Sequence, residues 1–165
     1  MLNKENLENL TNEIWKGAIK LRGKFKAKDY PSVFLPMIMI RRIECVLIQK
    51  RMEMAEAIRK QDSTIDETTV QQRVKLQETN LPFYNTTNWT LKGIEKESST
   101  QVEANFRAYL NGFSENIDEI IEKFNYRFWV SGMVKAKRLT AVIQFASDED
   151  FSPARLSNIE MGPVS

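Results

Sequence analysis

The stretch that most restricts the fold is Pro31 to Lys60. It reads as one helix, apolar nearly all round as far as Leu47, and such a helix has to be enclosed on every side. Enclosure by a bilayer is excluded by length. The longest apolar run, Val33 to Ile40, has eight residues, contains Pro36 and is closed by Arg41 and Arg42, where a span needs about 20. Protein must therefore surround it, and this segment is expected to be the central, most buried helix. Pro36 is expected either to kink it or to fall within its first turns. Cys45 belongs to the apolar set and reads as a small core residue. Met37, Met39, Met52 and Met54 read as packing. Beyond Ile48 the pattern turns charged, so this end should project into solvent.

The remaining chain supplies the enclosure. Leu7, Leu10, Ile14, Ala18, Leu21 and Phe25 recur at helical spacing, with Gly23 ending or loosening that helix. Asp29 can cap the next helix, and Pro31 is tolerated in its first turn. Ile65, Val70 and Val74 predict a weaker helix after the polar break at Gln61 to Thr64. Thr100 and Glu103 have capping-box spacing ahead of the stripe Val102, Phe106, Tyr109 and Leu110, which Asn111 and Gly112 stop. Ser114 is positioned to cap a helix carrying Ile117, Ile120, Ile121 and Phe124. Leu139, Val142, Ile143 and Ala146 mark another helix, and Ser152 before Pro153 a further start. The class is all-α: a single domain over 1–165, a compact bundle of about five to seven helices. Asn80 to Thr90 has no period and several aromatics. It predicts a small hairpin or an irregular loop, with Phe83, Tyr84 and Trp89 largely buried and Asn85 and Thr86 capping or orienting it.

Composition removes most catalytic chemistries. There is no histidine and one cysteine among 165 residues. Zinc sites and Ser-His or Cys-His pairs are therefore excluded, as is an intrachain disulfide. The last point suits a reducing compartment. No two of the six glycines are close enough to form a phosphate-cradling loop. Asp148 and Asp150 lie in a polar linker. Three sequons, at Asn9, Asn85 and Asn88, carry no weight without a secretory signal. No catalytic, cofactor-binding or metal-binding residue is expected, and the reading is of a soluble cytoplasmic protein.

The feature that points to a partner is charge. Residues 1–60 hold 13 of the 24 basic residues and 7 of the 22 acidic ones, leaving the rest of the chain net acidic. The densest cluster is Lys16, Lys20, Arg22, Lys24, Lys26 and Lys28, interleaved with Trp15, Leu21 and Phe25. A basic run is ordinarily a solvated face. On a rigid support it is also a footprint for phosphates.

Several segments resemble, in order along the chain, the N-terminal helical domain of the modification subunit of type I restriction–modification systems, an adenine-N6 DNA methyltransferase. They are Ile14-Trp15-Lys16 with Leu21-Arg22-Gly23, Asp29-Tyr30, Phe83-Tyr84-Asn85-Thr86 with Trp89-Thr90-Leu91, Phe113-Ser114-Glu115-Asn116, and Leu156 to Gly162. The resemblance implies a non-catalytic domain that helps close the complex around double-stranded DNA and assembles with the specificity subunit, a second modification subunit and the restriction subunit. It places S-adenosylmethionine in a catalytic domain expected after Gly162. Asn80-Leu81-Pro82-Phe83-Tyr84 is not the Asn-Pro-Pro motif of that domain, because Leu81 stands where proline is needed. In this family sequence is read by the specificity subunit, so Lys16, Lys20, Arg22, Lys24, Lys26 and Lys28 are candidates for backbone contacts only. The competing expectation is a protein-interaction module that docks other subunits without touching DNA. A free-standing small enzyme lacks the usual catalytic groups.

Overall fold

The computed structural model describes residues 17–150 and Asn12, apart from the Lys20 side chain. The expected first helix before Gly17 and the helix start at Ser152 lie outside the described residues. Within them the fold is all-α, with seven α-helices and no strand. No described helix is long and apolar enough to cross a membrane.

The central helix is α1, Tyr30–Gln61, about 48 Å long at 1.5 Å per residue. Its first half buries Val33, Phe34, Met37, Ile38 and Ile40. Pro36 lies inside it without breaking it. A proline disturbs the ladder toward its i−4 and i−3 carbonyls. The carbonyl at i−3, Val33, accepts a hydrogen bond from the Tyr126 hydroxyl at 2.6 Å. Asp29 precedes α1 but makes no capping hydrogen bond with its side chain, so the cap expected there is not formed. Pro31 occupies the first turn as expected.

α2, Glu67–Glu78, folds back along the charged end of α1. Asp66 caps it by accepting from Thr69 N–H at 2.7 Å. These two helices share a small separate core of Ala55, Ile58, Val70 and Val74. The expected projection of the charged end into solvent is thus covered on one side.

The main core is closed by α3 (Leu91–Glu95), α4 (Ser99–Asn111), α5 (Glu115–Lys123), α6 (Tyr126–Lys135) and α7 (Leu139–Ser147). α6 and α7 pack on α1, and α3 and α4 pack on α7. Gly112 ends α4 as the sequence suggests. The capping box at Thr100 and Glu103 does not form. The helix begins two residues earlier than that box requires, at Ser99, and Glu103 instead accepts from Arg107 Nε at 2.9 Å. Ser114 precedes α5, but its hydroxyl accepts from Tyr84 N–H at 3.2 Å rather than capping.

The aromatic stretch is an irregular loop. Its one β-bridge joins Asn85 to Phe113, so it docks on the α4–α5 connection instead of pairing with itself as a hairpin.

Candidate nucleic-acid interface

The basic stretch between Leu21 and Tyr30 is held at both ends and in the middle. Leu21 closes a short 3-10 turn, Ile19–Leu21, and is wholly buried. Gly23 then takes φ +79°, a left-handed conformation in which a side chain would be strained. That turn lets Lys24 and Phe25 N–H both donate to the Leu21 carbonyl, at 2.9 and 3.2 Å. Lys26 is extended, Ala27–Asp29 forms a second 3-10 turn, and Tyr30 is buried. Midway, the Phe25 ring is half-buried against Gly132 of α6, 3.7 Å from where a β-carbon would stand.

Between these anchors Arg22, Lys24, Lys26 and Lys28 are all exposed. None makes an ion pair or side-chain hydrogen bond among the described residues. Five arginines of the helices behave differently. Arg41, Arg51, Arg59, Arg107 and Arg127 each lie against a carboxylate. The loop is therefore a place where positive charge stays uncompensated on a fixed backbone. Lys16 and the Lys20 side chain lie outside the described residues. The structure thus brings together four of the six candidates.

The other notable polar groups are two buried carboxylates that sequence reading did not single out. Glu44 accepts from Arg41 Nη1 at 2.6 Å, from Leu91 N–H at 2.9 Å and from the Tyr109 hydroxyl at 2.5 Å. Burial, and then the facing Glu44 carboxylate, holds the Tyr109 hydroxyl well above the usual tyrosine range, so it remains a donor. Glu78 accepts from Arg51 Nε and Nη2 at 2.6 and 3.0 Å and from Asn85 N–H at 2.8 Å. Burial alone would raise its pKa, but the Arg51 guanidinium and the Asn85 N–H outweigh that, and the carboxyl sits below its ordinary value. Lys75, drawn down by burial and by Arg51, donates to the Asn85 and Thr87 carbonyls, each at 2.8 Å. Glu44 was visible as a lone acid in an apolar helix. Glu78 gave no sequence signal, because its surroundings are polar.

Both carboxylates hold the aromatic loop. Asn85 is buried, donates to the Tyr109 carbonyl at 2.9 Å and accepts from Thr87 N–H at 2.8 Å. Thr86 N–H donates to the Gly112 carbonyl at 2.8 Å. A β-carbon on Gly112 would stand 2.6 Å from Thr87 Cγ2 and 2.7 Å from Asn85 Oδ1, so only glycine admits this approach. Phe83 and Trp89 rest half-buried on the main core, and Tyr84 is half-buried too. The burial is less complete than the sequence suggested.

Among the described residues, then, the site is an exposed basic loop on an all-α bundle whose buried carboxylates are taken up by structural contacts. The family model described as the HsdM N-terminal domain matches residues 10–145, and the chain belongs to that family, the N-terminal domain of type I restriction–modification methyltransferase subunits. No curated protein and no solved structure matches the chain.

Proposed function

We propose that this domain helps a type I methyltransferase clamp DNA, with Arg22, Lys24, Lys26 and Lys28 neutralising backbone phosphates without reading bases. Lys16 and Lys20, on the preceding segment, belong to the same footprint. The observation that carries the reading is the set of four exposed, unpartnered cations on a loop anchored at Leu21, Phe25 and Tyr30. A fixed loop places its charges without an ordering cost at binding. In the complex the domain would work beside the specificity subunit, a second modification subunit and the restriction subunit, in the cytoplasm.

We expect the domain itself to bind no S-adenosylmethionine. The buried carboxylates that could bind a ribose, Glu44 and Glu78, are already occupied by protein donors. We assign the cofactor and methyl transfer to the catalytic part of the subunit.

Substituting Lys24, Lys26 and Lys28 together by alanine tests the clamp. Each lost phosphate contact lowers the slope of log affinity against log salt by about one. The assembled complex should therefore lose about three from its slope while keeping its sequence preference. An unchanged slope with intact assembly would refute the reading. A second reading, docking of other subunits without DNA contact, is favoured by the exposure of Phe124 and Phe128, at 40% and 61%. Lost assembly with unchanged DNA affinity in the triple variant would support it.

A further inference from the structure

α6 brings more positive charge to the basic loop than the sequence order suggests. Phe25 sits against Gly132. On a helix, positions i−4 and i+3 share a face. For Gly132 these are Phe128 and Lys135, both exposed. Lys135 lies three residues on, about 4.5 Å along the axis. Two residues further, Lys137 is exposed and has φ +61°.

The end of α6 explains that conformation. Arg138 N–H donates to the Met133 carbonyl at 2.8 Å and Lys137 N–H to the Val134 carbonyl at 3.0 Å. This is a Schellman stop with Lys137 at the left-handed position, where glycine is the residue that fits without strain. The fold thus holds a lysine where backbone geometry favours glycine. Lys135 and Lys137 make no ion pair or side-chain hydrogen bond among the described residues. At this turn Arg138 Nη1 donates to the Lys137 carbonyl at 3.1 Å, which leaves the ammonium free. Strain kept at an exposed charged position is a reason to look for a ligand.

We infer that Lys135 and Lys137 extend the basic loop into one composite phosphate-binding surface, joined to it by Phe25 packed against Gly132. The inference rests on the clamp reading and adds to it a second segment, more than a hundred residues away in sequence. The partner is a duplex backbone, because separated exposed lysines neutralise phosphates and supply no base readout.

The test uses the assembled complex with non-specific duplex DNA over a salt series. Lys137→Gly should raise the melting temperature, since it relieves the left-handed lysine, and yet lower the salt slope by about one. Lys137→Arg should restore the slope. Lys135→Ala with Lys137→Gly should lower the slope by about two, and affinity at least tenfold at moderate salt. A purely structural lysine would move the melting temperature and leave the slope alone, which would overturn the inference. If the Lys24, Lys26 and Lys28 variant flattens the slope while the Lys135 and Lys137 variant does not, the composite surface is wrong and the clamp reading stands. If neither variant changes it, both fail.

Discussion

Glu78 is 1% exposed and Glu44 2%, and each is surrounded by donors. Such a pair is costly to break, because truncating one partner leaves the other's charge uncompensated. Glu78→Gln keeps the shape but removes the charge facing Arg51, and should cost about 3 kcal/mol at neutral pH. The pH dependence follows from the direction of its shift. The folded carboxyl titrates below its ordinary value of 4.5. Its stabilisation is therefore complete above that value and is lost as pH falls through the folded pKa. Urea melts of wild type and Glu78→Gln should differ most near neutrality and converge in acid. A gap that stays constant down to strongly acidic pH would show that charge is not what Glu78 supplies. Tyr109→Phe removes one donor to Glu44 and should cost about 2 kcal/mol. At the glycines, steric room sets the order. Gly112→Ala must push into Asn85 and Thr87 and should destabilise by about 1–3 kcal/mol. Gly132→Ala meets Phe25 at ordinary contact distance and should be near neutral, whereas Gly132→Leu should displace the ring. Thermal melts of the three variants would check that ranking.

Among the elements, α1 was legible because an apolar surface on every face leaves one solution, and its observed bounds differ from the expected ones by a residue at each end. α6 was not legible. Tyr126, Phe128, Trp129 and Val130 have modest helix propensity and Gly132 a poor one, so nothing local announces a helix. Tertiary burial of Tyr126, Val130 and Met133 decides it. The missed capping interactions have separate causes. Helix α4 already begins at Ser99, before Thr100, and the Ser114 hydroxyl is committed to Tyr84 N–H and Asn116. Asp29 stands before α1 with a helical backbone, φ −92° and ψ −10°, where a cap needs an extended one. The basic loop could be read from sequence, but its third anchor could not, since Phe25 meets a glycine of an unpredicted helix. The α1–α2 hairpin should be the least stable part of the fold. Its own core has only Ala55, Ile58, Val70 and Val74, with Met54 and Ile65 beside them. Amides of α2 should exchange with solvent faster than those of α4 and α7. Equal protection in all three helices would show that the hairpin unfolds only with the whole domain.

Across the molecule, charge is divided by use. Most helix arginines are consumed in holding elements together, and the acidic excess lies after residue 60. The Arg22–Lys28 loop stays unpaired, which is the basis for reading it as an interface. The most direct test is lysine footprinting. The assembled complex is labelled with an amine-reactive acetylating reagent, with and without saturating non-specific duplex, and modification is measured at each lysine by mass spectrometry. Lys24, Lys26 and Lys28 should be protected by the duplex. Lys50 and Lys60, exposed on the far part of α1, should react equally in both samples. Full labelling of the loop lysines in the presence of bound duplex would contradict the account.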